Sequence, residues 1–204
     1  RIEGGILGSV VPALTGRVLG ALQMLCSARF LTVGPGLKSG IKLRLDNPAQ
    51  LGAELLCGAV AALAEGPGPL AVISADTAIS IMAVNAKQEL VGGVILPGPQ
   101  LSLSALVQRT AQLPQIDLSA PASSSILGKN TSACLQNGFV LGTAGLLDGL
   151  AERFQAELGP DIRFYATGNL PRTIREACRT PIEYREYLIT DGLYRIWQRN
   201  RKGS

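Results

Sequence analysis

The sequence predicts an α/β protein. Three strand-like segments follow one another at residues 70–75, 78–84 and 89–95, and helical patterns come before and after them. Hydrophobic residues make up 47% of the chain, aromatic residues make up only 4%, and glycine occurs 24 times. This composition is typical of a core of small aliphatic side chains in which helices pack closely on a sheet.

The part of the chain before residue 66 predicts two strands and two helices. Its elements are a strand within residues 1–11, a helix over 13–28, a strand over 30–33 and a helix over 51–64. A Gly/Pro cluster at residues 66–69 ends the last helix and is the best candidate for a domain boundary. We therefore expect residues 1–66 to be the remainder of a first unit, whose start looks incomplete because no initiator Met precedes the first strand.

Beyond this boundary the pattern is three strands, then helices, then one further strand. The predicted helices cover residues 102–112, 132–141 and 146–158, and the closing strand covers 162–166. Meandering strands followed by helices and another strand predict an α/β unit of the ribonuclease H type over residues 67–185. A final helix over residues 184–200 leads into a C-terminal segment, residues 186–204, which we expect to pack back towards the first unit.

The formal charge of +4 is concentrated near the C-terminus. Arg195, Arg199, Arg201 and Lys202 lie at the end of the last helix, where the helix dipole favours cations, so a solvated helix end is the favoured interpretation. Few aromatic side chains are nearby to stack on bases, so we discount nucleic acid as a partner.

Residue types exclude several kinds of site. The chain has no histidine, which excludes Ser-His and Cys-His nucleophilic sites and zinc sites built on histidine. Its four cysteines form no CxxC pair, so we expect buried thiols in a reducing compartment. No apolar run reaches the roughly 18 residues of a membrane span and no signal peptide is visible, so we predict a cytoplasmic protein without a membrane partner.

Four loop clusters place Gly, Thr or an acidic residue beside a strand or helix end, where phosphates and substrates bind in α/β folds. Glu54 begins a helix, either as a catalytic carboxylate or as a residue that the helix dipole favours. Asp76 and Thr77 join two strands, either as ligands of a cation and a phosphate or simply as a turn. Gly92 and Gly93 permit close approach of a ligand, although a bulge is the favoured interpretation on spacing alone.

The fourth cluster, Gly128-Lys129-Asn130-Thr131, enters a helix. Its backbone N–H groups could bind an anion, or Asn130 or Thr131 could simply cap the helix. Together the four clusters suggest a ligand cleft between two α/β halves.

Short motifs occur in a specific order along essentially the whole chain. They are Ser9-Val10-Val11-Pro12, Asp46-Asn47-Pro48 with Gly52-Ala53, Thr77-Ala78, Gly92-Gly93-Val94-Ile95 with Pro97-Gly98, Leu113-Pro114, Gly128-Lys129-Asn130-Thr131, Ala166-Thr167-Gly168 and Asp191-Gly192-Leu193. In this order they resemble the type III pantothenate kinases.

The resemblance implies the fold of the acetate and sugar kinase, heat-shock protein and actin superfamily, with two ribonuclease H-like domains, the first lacking its N-terminal strands. It also implies ATP-dependent phosphorylation of pantothenate, the first step of coenzyme A biosynthesis, with Mg2+ and a monovalent cation, K+ or NH4+. Members are dimers, so we expect a homodimer, or a heterodimer with an active relative. The family's opening Asp-x-Gly-Asn-Thr motif has no counterpart here.

Roles for individual residues follow from the same resemblance. It implies that Glu54 is the catalytic base, that Gly52 and Thr131 hold pantothenate, and that Asp76 holds a cation. The implied nucleotide-binding residues are Thr77, Gly92, Gly93, Thr167 and Gly168.

Several positions depart from the family pattern. The family's Gly-Ala-Asp-Arg motif ends in Glu54-Leu55 here, which sets the carboxylate one methylene further out and removes the Arg. In the family's Asp-Phe-Gly-Thr-Ala-Thr-Thr motif the Asp binds the monovalent cation. Ser74 replaces that Asp if no gap is introduced, whereas a two-residue deletion would make Asp76 that residue. Asn169 replaces the second of two paired glycines. Two hypotheses therefore stand: an active pantothenate kinase, and a catalytically degenerate relative that acts as a binding or regulatory subunit of a dimer.

Overall fold

The computed structural model describes residues 2–201. Arg1 and residues 202–204 lie outside the described residues, so the predicted positive helix end is described only as far as Arg201. The strands are β1 (Gly4–Leu7), β2 (Arg29–Thr32), β3 (Lys42–Leu43), β4 (Leu70–Ala75), β5 (Ala78–Val84), β6 (Glu89–Pro97), β7 (Arg163–Gly168) and β8 (Ile182–Tyr184). The α-helices are α1 (Pro12–Leu25), α2 (Ala53–Ala64), α3 (Pro99–Gln108), α4 (Thr131–Leu158), α5 (Arg172–Ala177) and α6 (Leu188–Asn200).

A six-stranded mixed sheet with the order β3-β6-β5-β4-β7-β8 organises the molecule. The hairpins β4–β5 and β5–β6 are antiparallel, which confirms the predicted meander, and β7 returns parallel to β4. A separate two-stranded parallel sheet is formed by β1 and β2, which α1 connects. The predicted α/β class is therefore confirmed.

Helices cover both faces of the large sheet, because side chains along each strand alternate between the two faces. Leu70 and Val72 of β4 pack into a core with α2 and α6, whereas Ala71 and Ile73 pack into a core with α4 and α5. All six residues of β4 are buried. Small side chains dominate the α2 face, where a Cβ on Gly58 would lie 3.0 Å from Val72.

The local sequence pattern predicted most of the helices and strands, but not all of their first and last residues. β4 and β5 have the predicted bounds, whereas the two helices predicted at 132–141 and 146–158 are one continuous helix, α4. That prediction was wrong because buried contacts of Ala144 and Leu147 carry the helix through the glycine-containing stretch. The last helix begins at Leu188 rather than at residue 184, because Tyr184 belongs to β8 on the edge of the sheet.

The predicted domain limits stay predictions, and two contacts bear on them. β3 precedes the Gly/Pro cluster yet pairs in parallel with β6 of the large sheet. α6 packs against α2 so closely that a Cβ on Gly192 would overlap the backbone carbonyl of Cys57.

The cysteines are free thiols in different environments. Cys57 is buried and Cys178 half-buried, and burial raises the pKa of these thiols to about 12 and about 11. Cys134 is exposed near the start of α4, so the expectation of a buried thiol was wrong there. Within residues 2–201, no helix is both long and apolar enough to cross a membrane.

Candidate functional site

The carboxyl ends of β4 and β7 bring two predicted loops together. These strands are parallel and in register, with Ser74 opposite Thr167 and Ala75 opposite Gly168. The turn after β4 therefore lies beside the residues after β7, and Thr77 is exposed there. Thr167 is buried, and its hydroxyl donates a 3.4 Å hydrogen bond to the carbonyl of Glu186.

Two glycines allow the backbones at this edge to approach one another. Gly168 has φ +82°, and a Cβ there would overlap the carbonyl of Ala75. The backbone N–H of Gly98 donates to the carbonyl of Thr77 at 2.8 Å, and a Cβ on Gly98 would overlap the carbonyl of Asp76. Sequence reasoning gave Gly98 no role of its own, although its place in the Pro97-Gly98 motif marked the segment.

Asp76 and Asn169 meet across this edge. The side-chain amide of Asn169 donates to Oδ1 of Asp76 at 2.9 Å, and both residues are exposed. They line a cavity of about 400 Å³ that also includes Thr77 and extends to Pro99 at the start of α3. The cavity combines a carboxylate, an amide and a hydroxyl, which can act together on a cation and on phosphate oxygens.

Glu54 lies in the first turn of α2 and reaches the end of β4. The buried hydroxyl of Ser74 donates to Oε1 of Glu54 at 3.3 Å, while Glu54 itself is exposed. Glu54 lines a cavity of about 180 Å³ together with Ser9 and Ile189. The carboxylate can therefore face a ligand while a side chain of the sheet orients it.

A larger cavity of about 750 Å³ adjoins the start of α2. Gly52, the residue before α2, lines it together with Ser9 and the loop that includes Gly34 and Gly36. The Gly34–Gly36 side of this cavity was not predicted, although two glycines around a proline mark a turn at which a ligand can approach the backbone.

Gly92 and Gly93 lie away from the strand ends. Gly92 pairs with Ala83 and Gly93 with Met82, four to five positions inward from Pro97, or about 13–17 Å along the strand. The register shifts between Ala83 and Val84, and Gly92 has φ +145°, so the favoured interpretation of a bulge is confirmed.

Thr131 is the first residue of α4 and is exposed. The side chain of Asn130 accepts a 2.9 Å hydrogen bond from the backbone N–H of Ala133, so Asn130 is the cap of this helix. Thr131 does not line the cavity of Gly52 in the same chain. The structure therefore does not join these two predicted pantothenate residues within one subunit.

Among residues 2–201 there is no group of three or more His, Cys, Asp or Glu side chains that could hold a metal ion. Mg2+ needs fewer protein ligands when it accompanies a nucleotide, since it keeps several waters and binds phosphate oxygens with one or two carboxylates. Asp76 supplies one such carboxylate beside the amide of Asn169. The donor set therefore fits a nucleotide-bound Mg2+ and does not form a dedicated metal cage.

Comparisons with known proteins agree on one family. Residues 1–153 match the family model described as type III pantothenate kinase. A type III pantothenate kinase of Koribacter versatilis is 36% identical over 203 residues, covering 100% of this chain and 73% of the relative. That of an Exiguobacterium species is 36% identical over 202 residues, covering 99% of this chain and 78% of the relative.

A solved structure agrees on the fold. It is a Campylobacter jejuni protein described as a Baf family transcriptional activator, and it matches with a TM-score of 0.58 and 19% identity. The match covers 98% of this chain and 85% of that one, and it bears on the α/β fold alone.

Proposed function

The chain belongs to the type III pantothenate kinase family, and we propose that it phosphorylates pantothenate with ATP, using Glu54 and the loops that follow β4 and β7. Relatives of this name span nearly the whole chain at 36% identity. They support pantothenate kinase activity and do not favour the alternative of a degenerate binding or regulatory subunit.

The hydrogen bond between Ser74 and Glu54 carries the proposal. It places the carboxylate beside the end of β4, where only Ala75 separates Ser74 from the loop that contains Asp76 and Thr77. A base that accepts the proton of the pantothenate hydroxyl must lie next to the phosphate that this oxygen attacks. The hydroxyl of Ser74 lies on a buried strand, so its hydrogen bond keeps the carboxylate of Glu54 beside the end of β4.

The nucleotide is proposed to lie over the ends of β4 and β7. Thr77 and the backbone around Thr167 and Gly168 would face its phosphates, and Asp76 with Asn169 would hold its Mg2+. When bound, Mg2+ neutralises charge on the phosphate oxygens during transfer. K+ or NH4+ at this edge belongs to the proposal. Gly92 and Gly93 do not, because they lie about 13–17 Å inward from Pro97 along β6.

Pantothenate is proposed to occupy the 750 Å³ cavity beside Gly52, which shares Ser9, Val10 and Ala53 with the smaller cavity that Glu54 lines. Its volume falls within the roughly 300–1,000 Å³ that small-molecule sites usually have. Thr131 lies elsewhere in the chain, so a role for it in the same site requires a second subunit. We therefore propose a dimer, made of two copies or of one copy and an active relative.

Two further parts of the proposal concern architecture and location. We assign residues 1–66 and 67–185 to two ribonuclease H-like units, and residues 186–204 to a C-terminal segment whose helix α6 packs back on α2 of the first unit. Four free cysteines are typical of a reducing compartment, so the proposed location is the cytoplasm.

The test is turnover of pantothenate with ATP and Mg2+, followed by coupled detection of ADP, in Glu54→Gln. We expect kcat to fall by about 10²–10⁴-fold, the usual contribution of a positioned base. Glu65→Gln, at the other end of the same helix, is the matched control and should retain activity. If Glu54→Gln keeps full turnover, and calorimetry shows unchanged ATP binding, Glu54 is not the catalytic base.

A further inference from the structure

A second polar cavity lies where the end of α6 meets the loop before β3. It has a volume of about 370 Å³, and we call it the arginine pocket. Its polar lining is formed by the side chains of Arg195, Arg199, Gln88, Gln198 and Ser39. It shares no residue with the cavities lined by Glu54 or Asp76, although Ser39 and Ile41 also line the cavity of Gly52.

The two arginines carry charge that no acid of the described chain neutralises. Arg195 and Arg199 are one helical turn apart, so their side chains share a face of α6, and both are exposed. Within residues 2–201 neither forms an ion pair, and no carboxylate lines the pocket. Glu89, which follows Gln88, is already bound by Lys42 at 3.5 Å and by Arg44 at 3.0 Å.

The loop wall of the pocket is held in place by α6. Oδ1 of Asn200 accepts from the backbone N–H of Lys38 at 3.1 Å, and Nδ2 donates to the carbonyl of Lys38 at 3.0 Å. Gly40 has φ +85°, and a Cβ there would overlap the guanidinium of Arg199. Glycine at position 40 therefore leaves room for the guanidinium of Arg199 against the loop.

We propose that the arginine pocket binds a small phosphorylated anion. Guanidinium groups recognise phosphate oxygens through charge and paired N–H donors, and the amides of Gln88 and Gln198 can supply further donors. The volume lies in the range of small-molecule sites. A helix end that is merely solvated explains the presence of arginines, but it does not require a pinned loop or a glycine that makes room for one guanidinium.

The experiment is calorimetric titration of the whole chain with inorganic pyrophosphate, without ATP and in the presence of a chelator. We expect binding that weakens as salt increases, and a loss of about tenfold or more in affinity in Arg195→Gln/Arg199→Gln. Arg109→Gln, which removes an exposed arginine at the end of α3, is the matched control and should bind as the parent does. Gly40→Ala keeps both charges but displaces Arg199, so it should also weaken binding.

Each result decides the proposal. Equal affinity in the parent and the double arginine variant would place the anion elsewhere and overturn it, as would absence of binding in the parent. Because the titration contains no metal and no turnover, failure here leaves the proposed kinase activity untouched. Conversely, loss of turnover in Glu54→Gln with pyrophosphate binding retained would separate the two sites.

Discussion

The amide of Asn169 donates a 2.9 Å hydrogen bond to the carboxylate of Asp76, joining residues 93 positions apart in the sequence. The bond spans the loops that follow two parallel strands, at the edge proposed for the nucleotide. Asn169 stands where the resembling family has a glycine. The side chain added there therefore orients an acid instead of projecting freely into the cleft.

Asn169→Ala should raise the KM for ATP at limiting Mg2+ by about three- to tenfold, because a hydrogen bond to a charged group contributes on the order of 1.5–3 kcal/mol, less when exposed. The KM for pantothenate should change little. Gln100→Ala, which lines the same cavity, serves as a control for altered cavity shape. An unchanged KM for ATP would show that Asp76 needs no partner or lies outside the nucleotide site.

Ser74→Ala should lower kcat by about five- to tenfold, because Glu54 loses the donor that orients its carboxylate. The free energy of unfolding should change little, because alanine fits the buried position without adding volume. Ser80→Ala is the matched control, as Ser80 is the cross-strand partner of Ser74. Steady-state kinetics of the two variants give the comparison, and equal kcat values would contradict a role for Ser74.

Asp148 links the middle of α4 to the segment after α5. Burial alone would raise the pKa of this carboxyl, but N–H donors of Arg179 and Thr180 outweigh it and hold the pKa below the ordinary value. A lowered pKa in the folded state stabilises the protein above the unfolded-state value, about 3.9, and this contribution is lost as pH falls through the folded-state pKa.

Asp148→Asn should therefore lower the free energy of unfolding by about 1–3 kcal/mol at pH 7, with a difference that shrinks below about pH 4. Urea unfolding at several pH values measures it. Asp161→Asn, at an exposed position, should change the free energy of unfolding little, both at pH 7 and below about pH 4. A difference from the parent that is constant down to pH 2 would contradict the assigned role of the charge.

Gly192→Ala should destabilise the protein by about 1–3 kcal/mol or more, because the new Cβ would overlap the backbone of Cys57 and force α6 away from α2. Gly142→Ala is the opposite case. A Cβ at that helical position meets no atom within 4 Å, so it should stabilise the protein by about 0.5–1 kcal/mol. Thermal or urea unfolding of both variants tests the prediction, and equal effects would contradict this account of the packing.

Local sequence determined much of the architecture. Apolar strand patterns bounded by turn residues located β4 and β5 to the residue, and the Gly/Pro cluster located the end of α2. The order of short motifs, read along the chain, led to the family. These features depend on backbone preference and periodicity within a few residues, so they are visible without a structure.

The tertiary structure fixes the features that depend on contacts between residues far apart in the sequence. The single helix α4 continues through Gly142 and Gly145, each unfavourable in a helix by roughly 1 kcal/mol, because burial of neighbouring side chains against the sheet offsets that cost. The pairing of β3 with β6 and the contacts of Glu54 with Ser74 and of Asp76 with Asn169 likewise join separate segments. The sequence indicates many of the residues that could do chemistry, although it missed Gly98 and the Gly34–Gly36 loop. The packing of helices on the sheet selects which of these residues meet, because that packing sums weak contacts over the whole chain.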